Sequence, residues 1–315
     1  MAFHTEPDKR RDLPGAAALV ADGALVALGG GLSARLPMAL VRQLIRHGTR
    51  GLHVIGSAHS IDVDLLVAAD AIAVCEESYV GFEQDLGLAP AFRQAAQAGR
   101  LEVRESCCDT LLTQLRAAEM GVPFLPVHGI RGTDIPALHP EYGDVVCPFT
   151  GATLVAVPPL RPDVVLLHAP LGDAAGNLHL EQPYVLDERF AMASSAVVAT
   201  VDRIAPTAEV VDAGITIPAH RVAAVTEVPF GAHPSSCYPI HPYDRVHLAA
   251  YVARAATAEG AAAYLDRYVR GTDEAGYRQA VGEDRLAALR RWDVSEAHWL
   301  EAFDTSRSEA VGHQS

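Results

Sequence analysis

The chain has 315 residues, half of them hydrophobic, with 20% charged residues and a formal net charge of −14. That is ample apolar material for a large buried core. The acidic balance excludes a surface built for nucleic acid or anionic membrane. No apolar run reaches transmembrane length and the N-terminus lacks the apolar stretch of a secretion signal, so a cytoplasmic protein is expected.

Taken in order, residues 4–11 are polar and read as a frayed end, as do residues 305–315. Leu13 to Ala21 reads as a short helix. Asp22-Gly23 is a turn, and Ala24 to Leu28 is a continuous apolar run, the pattern of a buried parallel strand. Gly29-Gly30-Gly31 follows, and Pro37 opens a helix whose Leu40, Val41, Leu44 and Ile45 share one face. Strand, glycine loop and helix together let backbone N–H groups approach an anionic or polarised ligand atom. The spacing is neither GxGxxG nor a Walker loop, and a plain tight turn explains the glycines equally well.

Gly51 to Ile55 reads as a second strand ending in the loop 56–60, and Ile61 to Ala69 as a helix. Ala71 to Cys75 is a third strand, followed by a polar loop from Glu76 to Gly87. A helix from Ala89 to Ala98 leads to a short strand, Leu101 to Arg104, and then to Glu105-Ser106-Cys107-Cys108-Asp109 ahead of a helix from Thr110 to Met120. The βαβα alternation predicts an α/β fold with an open, mostly parallel sheet. Residues 124–148, rich in Pro and Gly, read as a lid, an interface or short irregular strands. Further strands are expected at 153–157, 164–168, 196–201 and 222–228, a helix at 184–192, and a helical C-terminal extension over 244–258, 260–269, 274–281 and 284–291. One domain over residues 1–285 is expected, with a helix and flexible tail over 286–315.

Five cysteines, two of them adjacent, argue against a disulfide framework. Lys9 is the only lysine, so no internal lysine is available for Schiff-base or proton-transfer chemistry. There is no HExxH, CxxC or GxSxG. The nearest histidine clustering is His233, His241 and His247, and no metal site is expected from it. Glu105 stands out because a carboxylate at a strand end, beside two thiols and ahead of a helix, can act as base, nucleophile or ordering acceptor; an exposed loop residue is the plainer reading. Cys107 and Cys108 sit where a helix N-terminus lowers a thiol pKa, although small core packing suits them too. The Asp173–Asn177 segment has the composition of a tight turn.

Asp22-Gly23, Val26-Ala27-Leu28, Gly29-Gly30 and Pro37 at this spacing resemble the first signature of class I coenzyme A transferases. The likeness runs from about residue 13 to 282 and takes in SYVG at Ser78, LEVRE at Leu101, MGVPF at Met120, CPFTG at Cys147, RPDVVLLHAPLGDAAGN at Arg161 and PFGAHPSSCYP at Pro229. It is nearest to the glutaconate-type α-subunit, and similar also to α-subunits of hydrolases that open a steroid-derived ring on CoA. The resemblance implies the open sheet shared by CoA-transferases and sugar-phosphate isomerases. It also implies a β-type partner subunit (αβ or α2β2), an acyl-CoA and a carboxylic acid as substrates, and no permanently bound cofactor. In such transferases the glutamate that carries the acyl group, and then CoA, lies on the β-subunit.

By the same resemblance Glu105 and Cys108 hold catalytic positions. Gly29, Gly30, Gly31, Arg35, Ser57, Ser78, Asn177, His233 and Ser235 would line the acyl-CoA pocket. Three departures are visible. Gly31 replaces a usual aromatic residue. Arg35 replaces a second glycine and offers a cation for an acidic acyl group or a CoA phosphate. Cys108 stands where an amide side chain often binds the thioester oxygen. Transfer of CoA, hydrolysis or C–C cleavage using Glu105, and a non-catalytic member of the fold are the three readings this leaves.

Overall fold

The apolar run after Asp22-Gly23 forms β1 (Leu25–Leu28), the pivot of the main sheet. The structure is a computed structural model and describes residues 7–182 and 184–290. The remaining strands are β2 (Leu52–His59), β3 (Ile72–Val80), β4 (Glu102–Glu105), β5 (Leu125–Val127), β6 (Gly143–Val146), β7 (Thr153–Val157), β8 (Val164–Gly172), β9 (Leu178–His179), β10 (Ala196–Ile204) and β11 (Val222–Glu227). The main sheet runs β11-β10-β8-β1-β2-β3-β4 with every neighbouring pair parallel, and β9 turns back antiparallel on β8. The chain builds outward from β1 through β2, β3 and β4, then returns to the other side of β1 through β8. The order therefore reverses between β1 and β8, and ligands of open α/β sheets bind outside the carboxyl ends at such a reversal.

Both faces of the sheet are covered, as a parallel sheet requires. Val26, Leu28 and Val54 pack against Leu40 and Leu44 of the helix Met38–His47, Leu65 of the helix Ile61–Ala68, and Tyr251 and Leu265 of the C-terminal helices. On the opposite face Ala27, Ile55, Val165 and Leu167 meet Leu111 and Leu115 of the helix Cys108–Met120, with Phe190. The helix Met38–His47 ends at Gly48, whose φ of 82° is the left-handed cap that glycine favours, with Arg46 and His47 in its last turn. Its Arg42 and Arg46 both hold Glu274, at 2.6 and 2.7 Å, which ties the C-terminal helices to the core.

The Pro- and Gly-rich stretch after Met120 contains a small antiparallel sheet in the order β5-β7-β6, the set of short strands its composition allowed. Two expected loops are strand instead. β2 continues through Gly56–His59 and β3 through Glu76–Val80, so polar side chains enter the sheet. The N-terminal segment is not frayed throughout. Lys9 N–H donates to Ala174 O at 2.8 Å, and Arg11 N–H donates to Val225 O at 3.0 Å beside β11. A helix at Thr207–Ala213 has no counterpart in the sequence reading. The tail expected beyond Arg290 lies outside the described residues.

Candidate active site at the carboxyl ends of β1 to β4

The glycine loop is a closed structure. Gly29 N–H donates to Leu166 O at 2.9 Å, Gly30 N–H to the Asp187 carboxylate at 2.8 Å, and Gly31 N–H to Ala34 O at 3.0 Å. The three amides expected to face a ligand are spent inside the protein. What the glycines supply is room. Gly30 has φ of 74°, and a Cβ there would lie 2.3 Å from Ala34 O, a backbone atom. A Cβ on Gly29 would strike the Leu167 side chain at 2.1 Å.

Arg35 closes the loop from behind. Its guanidinium donates to the Asp187 carboxylate at 2.9 Å, and both side chains are buried. Arg35 is therefore not the surface cation for an acyl carboxylate or a CoA phosphate that its position suggested: the loop brings it to an internal acid 152 residues away. Ser235 plays a similar internal part, accepting from Leu36 N–H at 3.0 Å and donating to Ala232 O at 2.7 Å. His233 is wholly buried between Tyr277 OH at 2.6 Å and Asp244 at 3.1 Å. Asn177 donates to Asp173 at 2.8 Å and accepts from Ala219 N–H at 3.0 Å, bracing its turn. The hydrogen-bonding atoms of these three side chains are committed within the fold.

Cys108 and Ser57 do come together, with Ser78 on the neighbouring strand, while Glu105 ends β4 in register with Glu77. Glu105 is the exposed last residue of β4, and its backbone carbonyl accepts from His139 Nε2 at 2.8 Å. The helix Cys108–Met120 starts three residues later with no side-chain cap, so its positive end is open at this edge. Cys108 is exposed and its Sγ lies 3.0 Å from Ser57 Oγ, whereas Cys107 packs toward Val127 and Val155 under the small sheet. Ser78, on the neighbouring strand β3, has a buried Oγ without a hydrogen-bond partner.

Behind this edge lies a group of acids and a histidine that the sequence pattern presents as loop. Asp62 holds His59 Nδ1 at 2.5 Å and accepts from Ser60 N–H at 3.0 Å. Glu77 pairs in register with Gly56 on one side and Glu105 on the other. A Cβ on Gly56 would lie 2.2 Å from the Glu77 carboxylate and 2.6 Å from the His59 ring, so glycine makes space for both. Neither carboxylate oxygen of Glu77 nor Nε2 of His59 has a hydrogen-bond partner. Burial lifts the Glu77 carboxyl from its ordinary 4.5 to about 8, with His59 pulling it back and Asp62 and Glu76 pushing it further. Burial alone would lower His59, but Asp62, Glu77 and Asp187 outweigh it and raise the imidazole to about 9.

These shifts predict how stability follows pH. The unfolded chain loses the Glu77 proton near 4.5 and the native protein near 8, so across that window the unfolded state binds fewer protons and stability falls as pH rises. His59 acts in the same direction: its contribution is full below 6.5 and is lost as pH rises through 9. Each unit of separation is worth about 1.4 kcal/mol. Urea unfolding of Glu77→Gln should therefore gain on the wild type steadily between pH 5 and 8 and level off above. Parallel pH profiles for the two proteins would mean that the Glu77 carboxylate sits in water.

The sequence profile described as Coenzyme A transferase matches residues 12–228. The chain is 31% identical over 264 residues to the A-type subunit of 3-oxoadipate CoA-transferase from Pseudomonas knackmussii, covering 83% of this chain and 93% of that protein. It is 31% identical over 287 residues to the cholesterol ring-cleaving hydrolase IpdA subunit of Mycobacterium tuberculosis, covering 87% and 97%. It spans 62% of a longer uncharacterized protein of Archaeoglobus fulgidus, with 32% identity over 278 residues and 86% of this chain covered. The crystal structure of glutaconate coenzyme A-transferase from Acidaminococcus fermentans superimposes with a TM-score of 0.85 at 27% identity, covering 90% of this chain and 95% of that one. With the profile spanning most of the sheet and the fold reproduced almost end to end, the chain belongs to the coenzyme A transferase family and matches the A-type half of its members.

Proposed function

We propose that this chain is the α-subunit of a two-subunit enzyme that processes an acyl-CoA and transfers CoA between carboxylic acids. The observation that carries this reading is the open edge where Cys108, at the start of the helix Cys108–Met120, meets Ser57 at the carboxyl end of β2, just past the end of β4. A thioester carbonyl laid along that edge meets the positive end of the helix Cys108–Met120, which favours the charge that develops on its oxygen. The attacking carboxylate comes from a glutamate of the partner subunit. It displaces the CoA thiolate to give a mixed anhydride, and the thiolate then returns to the glutamyl carbonyl, releasing the first acid and leaving a glutamyl-CoA thioester. Exposed apolar side chains around the small sheet, Phe149 (93% exposed) and Val146 (61%) among them, support a docked partner.

A second reading is favoured by Glu105 itself, whose exposed carboxylate lies in register with Glu77 at the same edge. In that reading Glu105 is the base for hydrolysis or C–C cleavage of a CoA ester, the activity class named for the IpdA relative. One experiment separates the two. The assembled complex is incubated with acyl-CoA, then with borohydride, and the subunits are weighed by mass spectrometry. Transfer leaves a reduced glutamyl adduct on the β-type partner. Absence of the adduct, with product formed from acyl-CoA and water alone, would establish the hydrolytic reading.

A further inference from the structure

Away from the acyl edge, three buried side chains with metal-ligating atoms converge beneath the 229–241 loop, with the His241 ring buried beside them. His168 stands on β8, Asp202 on β10, and Cys237 and His241 on the loop, and none is more than 6% exposed. One ligating atom from each of His168, Asp202 and Cys237 lies within 4.8 Å of the others, and His168 Nε2 is 3.0 Å from the Asp202 carboxylate. Cys237 and His241 form a directly opposed antiparallel pair, each N–H donating to the other's carbonyl at 2.9 and 3.0 Å. Residues opposed in this way project their side chains from one face, so the His241 ring and the Cys237 thiol share a side of the turn.

The remaining heteroatom of each nitrogen and oxygen donor is already oriented. His168 Nδ1 is 2.8 Å from Thr200 Oγ1, His241 Nδ1 donates to Pro242 O at 2.9 Å, and the second Asp202 oxygen accepts from Phe230 N–H at 2.7 Å. With Nδ1 carrying the proton, His241 Nε2 presents a lone pair, and that buried atom has no hydrogen-bond partner. Outer hydrogen bonds of this kind fix the tautomer and direction of metal-ligating histidines. A second trio, His233, Asp244 and His247, fails the same comparison. Arg285 occupies both Asp244 oxygens, and His247 Nε2 is taken by Tyr264 OH at 2.8 Å.

We propose that His168, Asp202 and Cys237 form a buried site for one divalent transition-metal ion of the zinc class, which the His241 ring joins as fourth ligand by closing on the trio. Two imidazoles, a carboxylate and a thiolate are a tetrahedral donor set for zinc, whose bonds of about 2.0 Å to nitrogen and 2.3 Å to sulfur place ligand atoms about 3.3–3.6 Å apart. On loading, the Cys237 thiol gives up one proton to solvent, and the His168 proton moves to Nδ1, facing Thr200. Carboxylate, thiolate and dication then sum to zero charge, which burial requires. The ion would pin the 229–241 loop to β8 and β10. That loop in turn holds the glycine loop, through Ser236 N–H to Ser33 O and Arg35 N–H to Ser236 O, both at 2.7 Å.

The test is cobalt loading of the full-length protein, stripped with phenanthroline and then titrated with Co2+. The expected result is one equivalent bound per chain, with a thiolate-to-cobalt band in the near ultraviolet and the visible bands of tetrahedral cobalt, both displaced by Zn2+. Cys237→Ser should lose the thiolate band and Cys147→Ser should keep it. No thiolate band in the wild type at saturating Co2+, or a band that survives in Cys237→Ser, overturns the site. Should Cys237→Ser fail to fold, X-ray absorption of the cobalt-loaded wild type decides. A shell of one sulfur with nitrogen and oxygen supports the site, and a shell of oxygen alone overturns it.

Discussion

Asp187→Ala is expected to destabilise the protein by about 3–5 kcal/mol, the usual cost of stripping one partner from a buried ion pair. The carboxylate does two jobs at once. It accepts the Gly30 N–H at 2.8 Å and the Arg35 guanidinium at 2.9 Å, and it is itself wholly buried. Without it, Arg35 stays buried and loses its carboxylate partner, and the left-handed residues of the loop, Gly30 at φ 74° and Arg35 at 49°, lose the contact that holds them there. Asp187→Asn keeps the shape and one acceptor, so about half the loss is expected. Replacing both partners with apolar residues, Arg35→Met with Asp187→Leu, should recover much of the stability lost in Asp187→Ala, because no charge is then stranded. Urea unfolding of the four proteins measures this. A loss below about 1 kcal/mol for Asp187→Ala would show that water reaches Arg35.

The same pair marks where sequence reasoning stops. The strands and helices with a clear apolar period are legible, and Thr153–Val157 and Glu274–Val281 fall at the residues their patterns indicate. β2 and β3 overrun their apolar runs because Ser57, His59, Glu76 and Glu77 are polar residues inside a sheet, and a reading that equates polarity with loop must miss them. Asp187 carries no local signal either. It lies at the start of a short helix, and only the folded chain sets it against Gly30. Motif positions differ in exposure for a related reason. Glu105 and Cys108 sit on a strand end and a helix start, which expose their side chains, so sequence position translated into an open edge. His233, Ser235 and Asn177 belong to turns whose own hydrogen bonds consume them, which spacing alone does not reveal.

That contrast makes Glu105 the decisive residue at the open edge. Its side chain is exposed, and the bond from His139 is accepted by its backbone carbonyl, so Glu105→Gln removes a charge and little else. The folded protein should be unchanged, with the unfolding free energy within about 0.5 kcal/mol of wild type. Under the hydrolytic reading, turnover of acyl-CoA by the assembled enzyme should nevertheless fall by about a hundredfold or more, the range for loss of a positioned acid–base group. In that reading the loss should appear in kcat rather than in KM, because a base at the reacting group does not anchor the CoA moiety. The buried Glu77 in register beside it supplies an internal comparison. Glu77→Gln shifts stability with pH, whereas Glu105→Gln shifts rate at constant stability. Wild-type turnover in Glu105→Gln removes this carboxylate from the chemistry and favours the transfer reading.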